Sequence, residues 1–404
     1  MEFKNITLLF SISIISIFTS NAQENLKESF KDTITYNEEN TEKVIAFGSF
    51  IEASIHENNP DNYNSKFNKE SFFENVFNYY PEINREDEFV KGFTNGLKKS
   101  LDSFPTRIIT EVENGSYYDF INYSYDYESQ TYYLLFRLYS LETGMNYHNY
   151  RIQKNKNKIE FSDIYVYVTG EFLADTIGRL LRYSIPEIEK EDDGKQYQID
   201  KDSKTLFNAI MYNKSGLFDK AYEAMEKLES GLSKEKFVLI LKTLMASQID
   251  ETKYLKSLED LISTFPEDPT LALNRIDYHI FREEYFEAIQ VINQLQNETE
   301  DDFLNFIKGT VAFQDGNYDL AFNMFSFIIE DYPGFFDGQV GYLNVLVMME
   351  NYADAIIYLD TLLAEGYDKS SLIVYLEEDD ESGENILELF IQTEDFKAWK
   401  TKKD

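Results

Sequence analysis

Apolar residues recur along the chain in two rhythms. From about Thr33 the spacing is helical: Val44, Ile45, Phe47, Phe50, Ile51 and Ile55 fall on one face, and the run stops at Asn58-Asn59-Pro60. Shorter helices are predicted over 69–79 and 86–103. The period then changes to two, with β-branched and aromatic residues, which predicts strands over 106–113, 117–127, 131–140, 145–154 and 159–168. Turn signals separate them at Asn114-Gly115, Glu128-Ser129, Glu142-Thr143-Gly144 and Asn155-Lys156-Asn157. A helix from Gly170 to about Tyr183 closes this part. Helices followed by a meander of long strands imply an α+β domain over 25–184, a curved antiparallel sheet wrapped around a helix. An acidic linker is expected over 185–201.

Beyond residue 202 the helical rhythm itself repeats. Gly216-Leu217-Phe218-Asp219-Lys220-Ala221, Glu283-Glu284-Tyr285-Phe286-Glu287-Ala288, Gly316-Asn317-Tyr318-Asp319-Leu320-Ala321 and Glu350-Asn351-Tyr352-Ala353-Asp354-Ala355 share one pattern, with their alanines 67, 33 and 34 residues apart. The first gap is a double one, and a degenerate unit fills it at Glu251-Thr252-Lys253-Tyr254. Five units result over 202–367. In each, a large apolar residue follows four positions after the alanine slot (Met225, Leu258, Ile292, Phe325, Leu359) and another three later (Leu228, Leu261, Leu295, Ile328, Leu362). The Gly or Asn with an acidic neighbour makes the turn between two helices, the alanine marks where helices approach closely, and Pro266 and Pro333 stop the second helix. Residues 368–404 read as capping helices.

These units resemble tetratricopeptide repeats; the stretch from Gly316 to Pro333 matches best. Tyr254 is oversized for its slot, and the first-helix Leu-Gly signature is absent except for Gly309. The resemblance implies an all-α solenoid whose concave face, lined by first helices, takes up a peptide or another protein's helix. It points to Phe303, Phe306, Thr310, Phe313, Val340, Asn344 and Val347 as contacts. The N-terminal part is similar in architecture to the nuclear-transport-factor-like (cystatin-like) cone, without a specific motif.

One constellation on the predicted sheet carries possible chemistry. A hairpin turning at Lys156-Asn157 sets Tyr150 opposite Asp163, His148 opposite Tyr165 and Asn146 opposite Tyr167, all on one face. That arrangement would suit a pocket with His148 or Asp163 as a general base. A one-residue slip of register separates them.

Composition narrows the function. The chain has 404 residues, 73 acidic against 38 basic side chains, a net charge of −35 and no cysteine. Such a charge argues against nucleic-acid and anionic-membrane partners. Residues 200–404 hold 41 acidic and 18 basic side chains, and no Lys or Arg lies between Lys308 and Lys369, where ten acidic residues do. A basic polypeptide partner would be steered there. The absence of cysteine excludes disulfides and thiolate metal sites, and no cofactor is implied. The 30 Tyr and 33 Phe come with abundant Asn, Lys, Ile and Glu, the bias of a low-GC genome rather than of a stacking surface. Residues 1–22 carry Lys4, an apolar run from Ile6 to Phe18 and Ser20-Asn21-Ala22. They predict a secretory signal cleaved between Ala22 and Gln23, with no lipoprotein cysteine and no membrane anchor. A periplasmic or secreted location follows.

Ser233-Lys234-Glu235-Lys236 fits S-x-x-K but reads as a helix start. Glu189 to Asp200 has calcium-loop spacing with the wrong residues at its ends. No phosphate loop, dinucleotide loop, nucleophile elbow or H-E-x-x-H occurs. The chain therefore reads as a non-catalytic scaffold that binds another polypeptide through its repeats. A small-molecule-binding or isomerase/dehydratase-like cone domain is the alternative.

Overall fold

The computed structural model describes residues 33–141, 144–156, 158–185, 187–191, 194–198, 201–229, 231–379 and 385–402. The expected signal segment, with Ala22 and Gln23, lies outside the described residues. Two compact units divide the chain, one holding residues up to Tyr278 and the other those from His279 on.

The first unit opens with helices α1 (Glu38–His56), α2 (Pro60–Asn64), α3 (Lys69–Tyr79), α4 (Glu88–Asp102) and α5 (Phe104–Glu113). Side chains of Asn37, Asn59, Asn68 and Asp87 cap the first four by accepting from backbone N–H groups of the first turn. Helix α5 replaces the strand expected over 106–113. Its run of β-branched residues is overridden by Pro105 in the first turn and by a helical set of buried positions, Phe104, Ile108 and Ile109.

Next comes an antiparallel meander in the order β1 (Tyr117–Asp126), β2 (Thr131–Ser140), β3 (Gly144–Asn155), β4 (Lys158–Val166) and β5 (Glu171–Phe172), followed by α6 (Leu173–Ser184). These match the strands predicted from 117 onward to within two residues. Helices α1 to α6 pack on one face of the sheet, where Ile51, Phe72, Val76, Leu101, Ile108 and Ile177 meet Phe136, Tyr150, Phe161 and Ile164.

The segment expected as a linker forms a two-stranded hairpin, β6 (Glu187–Glu191) with β7 (Gly194–Gln198), and helix α7 begins at Lys201. From there helices pair in sequence: α7 (Lys201–Lys214) with α8 (Phe218–Met225), α9 (Lys236–Ser247) with α10 (Glu251–Thr264), then α11 (Ala272–Phe281). In the second unit follow α12 (Tyr285–Thr299), α13 (Leu304–Gln314) with α14 (Tyr318–Asp331), α15 (Phe336–Met348) with α16 (Tyr352–Ala364), and α17 (Lys369–Glu377), α18 (Glu388–Ile391) and α19 (Glu394–Thr401).

Every predicted repeat slot is the fourth residue of its second helix. Ala221, Tyr254, Ala288, Ala321 and Ala355 are all buried, as are the ten apolar residues that follow them. Tyr254 fits because its hydroxyl donates to the buried carboxylate of Asp277. The turn before four of the second helices needs a left-handed residue. Gly216 and Gly316 supply it without strain, whereas Glu283 and Glu350 adopt φ of 57° and 60°.

Candidate functional site

Near its turn the β3–β4 hairpin has the predicted register, with Ile152 opposite Phe161 and Asn155 opposite Lys158. Ser162 is then an extra residue on β4, and beyond it Arg151 faces Asp163, Tyr150 faces Ile164 and His148 faces Val166. The bulge has a local cause. The chain between α2 and α3 binds Phe161 on both sides, Phe161 N–H donating to Lys66 O at 2.9 Å and Phe161 O accepting from Asn68 N at 2.8 Å. The predicted constellation is therefore split. Asn146, His148 and Tyr150 take one face of the sheet, and Asp163, Tyr165 and Tyr167 the other.

On the helix-covered face, hydroxyls form a linear chain that ends on an imidazole. Tyr150 Oη lies 2.8 Å from Tyr63 Oη and 2.7 Å from Tyr118 Oη, and Tyr118 Oη lies 3.3 Å from His148 Nδ1. All four side chains are fully buried, among Phe104, Phe136 and Phe161. Burial holds the His148 imidazolium down to about 3 and pushes the Tyr63, Tyr118 and Tyr150 phenols up, so the network is neutral. The His148 imidazole is enclosed on all sides by these side chains and has no solvent exposure. The network ties α2, β1 and β3 together through buried hydrogen bonds.

On the other face Asp163 is equally buried. Its Oδ1 accepts from Ile164 N at 2.9 Å and from Ala174 N at 3.1 Å, which caps α6 from the neighbouring strand. Desolvation pushes its carboxyl up to about 7 despite these bonds and the nearby Arg151. Tyr165 and Tyr167 stack edge to face at 5.3 Å. Asn146, on the His148 side, accepts at Oδ1 from Val168 N at 2.9 Å.

Helix α6 joins the α+β part to the first repeats. Leu173, Ala174, Ile177 and Leu181 belong to the sheet core, while Leu180 packs with Leu206, Met225, Phe237 and Leu241, and Tyr183 stacks on Phe237 at 6.2 Å. A buried polar cluster flanks this seam. Arg179 lies 3.0 Å from Asp175 and 3.4 Å from Glu171, and the fully buried Lys236 ammonium lies 2.7 Å from Asp268. Desolvation pushes the Glu171 carboxyl well up and the Lys236 ammonium down. Gly170, at φ 68°, is where a Cβ would collide with Thr270.

The first-helix positions that the resemblance points to lie inside the repeats. Phe303, Phe306, Thr310, Val340, Asn344 and Val347 are at most 4% exposed, and Phe313 is half-buried. Phe303 and Phe306 pack on Phe335 at 4.9 and 4.7 Å, Phe306 also on Phe325 at 6.0 Å, and Asn344 exchanges hydrogen bonds with Tyr375. These positions bind adjacent hairpins to each other. Solvent instead meets Phe286 (71% exposed) on α12 and Ile357 (65%) on α16. Around them lie the exposed carboxylates Glu283 and Glu287, and Asp354 and Asp360. Of the ten acidic residues between Lys308 and Lys369, Asp360 alone has a cationic partner among the described residues, Lys402.

A third grouping had no signal in the sequence, since Asp119 is more than sixty positions from Glu52 and His56. Glu52, His56 and Asp119 each bring a ligand atom within 4.8 Å of the others.

No protein-family model matches the chain, and no curated relative does. Among solved structures, "MamA AMB-1 P212121" aligns at 14% identity over 43% of this chain and 97% of its own, with a TM-score of 0.34. "MamA MSR-1 C2" aligns at 14% identity over 39% and 92%, with a TM-score of 0.33. No described helix is long and apolar enough to cross a membrane.

Proposed function

We propose that this chain is an exported, non-catalytic scaffold of tetratricopeptide-like repeats that binds another polypeptide in the periplasm or outside the cell. The observation that carries the reading is the outer surface of the second unit. There Phe286 and Ile357 stand in solvent beside the exposed carboxylates Glu283, Glu287 and Asp354. A large exposed apolar group ringed by one sign of charge suits an amphipathic segment with Lys or Arg beside its apolar stripe. It does not suit nucleic acid. The splitting of His148 from Asp163 and the enclosure of the buried imidazole weigh against the enzymatic cone alternative. The repeat surface now assigned is the second-helix face, in place of the buried first-helix positions.

Crosslinking capture from the native envelope tests this, comparing the wild-type chain with a Phe286→Ser/Ile357→Ser double variant and with Asp354→Lys. Partners held by the wild-type chain and lost by both variants are expected. An unchanged set of partners refutes the assignment.

A further inference from the structure

At the far end of α1 from its cap, three side chains from two elements converge on the rim of the sheet. Glu52 and His56 sit one helical turn apart on α1, and Asp119 projects from β1. Each is already held by one polar partner, and each holding bond leaves a lone-pair atom over. Glu52 Oε1 accepts from Phe120 N–H at 2.8 Å, which leaves Oε2. Asp119 Oδ2 accepts from the buried Arg137 guanidinium at 2.5 Å, which leaves Oδ1.

His56 is the informative member. Its Nε2 lies 2.9 Å from Tyr118 O. A carbonyl oxygen only accepts, so Nε2 carries the hydrogen, and in the neutral ring the free lone pair is on Nδ1. A ligating histidine is normally fixed in this way, its distal N–H donating to a backbone carbonyl so that tautomer and ring orientation are set before the ion arrives. The carboxylates are oriented by their own outer partners in the same sense. Such preorganisation distinguishes the group from the many carboxylates scattered over this acidic surface.

We propose that Glu52, His56 and Asp119 form a binding site for one divalent transition-metal ion. One imidazole nitrogen and two carboxylate oxygens make a mixed N/O set that suits zinc, with solvent completing the coordination at the exposed His56 side. The charge balance agrees. Two carboxylates against the one Arg137 guanidinium leave a net negative site, and the carbonyl end of α1 adds a partial negative charge. The ion would clamp the last turn of α1 to β1, a stabilising link across the α+β part.

Equilibrium dialysis of the full chain with zinc(II), in millimolar magnesium to saturate scattered carboxylates, tests the site. One zinc per chain is expected, with a rise in Tm on loading. His56→Ala removes an exposed group and should keep the metal-free fold, while weakening zinc binding tenfold or more. Glu52→Gln retains an oxygen for Phe120 N–H and should weaken binding similarly. His279→Ala should leave binding unchanged. The proposal fails if no saturable zinc binds. It fails equally if His56→Ala and Glu52→Gln bind as tightly as wild type, or if His279→Ala causes the same loss.

Discussion

Gly341 sits in the middle of α15, where replacing glycine with alanine would ordinarily strengthen a helix by about 1 kcal/mol. The structure predicts the opposite sign. A Cβ built there lies 2.5 Å from Cε1 of Phe325, 2.7 Å from its Cζ and 2.8 Å from Cδ1, against an ordinary carbon contact of about 3.5 Å or more. The obstacle is a rigid ring, and Phe325 is itself fully buried, so neither partner has free space to move into. Forcing one extra methyl into such packing costs about 1 to 3 kcal/mol, which exceeds the propensity gain and leaves Gly341→Ala destabilising by up to about 2 kcal/mol. Gly92 and Gly96 of α4 provide the matched control, since a Cβ there meets nothing within 4 Å. Gly92→Ala should stabilise by roughly 0.5 to 1 kcal/mol. Urea unfolding followed by circular dichroism reads both. The double variant Gly341→Ala/Phe325→Leu should be less destabilised than the sum of its single changes, because the smaller side chain relieves the clash. If Gly341→Ala raises the unfolding midpoint as Gly92→Ala does, the close approach of α15 to α14 is wrong, and with it the repeat packing.

Glu283→Gly and Glu350→Gly relieve left-handed backbone at two repeat turns and should each stabilise by about 0.5 to 1 kcal/mol, seen as higher urea midpoints. Asp163, whose carboxyl is raised to about 7, contributes stability that is full below the unfolded carboxylate value of about 4 and is lost as pH rises through 7. Asp163→Asn keeps the oxygen that caps α6. Its stability relative to wild type should therefore climb by a few kcal/mol between about pH 4 and pH 7, and a constant difference across that range would count against the buried placement. Lys236→Ala removes the cationic partner of Asp268 and leaves the buried Glu171 with less compensation. It should cost about 3 kcal/mol in thermal or urea unfolding, far more than Lys253→Ala at the exposed ion pair with Asp250.

The repeats were legible because their constraint is local and periodic. The small residue, the aromatic before it and the apolar residues four and seven positions on all serve one second helix, so the offsets alone locate five helices whose structure begins three residues before each slot. The strands from 117 onward were legible for the same reason, their alternation being a property of consecutive residues. Where a strong local rule competed with a weaker one, the sequence misled. The β-branched run Thr106 to Val112 looked like a strand, although Pro105 and the spacing of Phe104, Ile108 and Ile109 were already the marks of a helix start.

What the sequence determined by itself, then, is the identity of most elements, with α5 and the β6–β7 hairpin as exceptions, the spacing of the five second helices and the acidic character of the second unit. Tertiary structure alone decided the chemistry. One extra residue at Ser162, induced by hydrogen bonds from Lys66 and Asn68 nearly a hundred positions away, turned His148 and Asp163 to opposite faces. Burial of Phe303, Phe306 and Asn344 against neighbouring hairpins moved the exposed apolar groups to Phe286 and Ile357. The meeting of Glu52 and His56 with Asp119 depends on α1 lying along β1. Register, burial and convergence are set by contacts between residues distant in the chain, and periodicity along the chain carries no record of them.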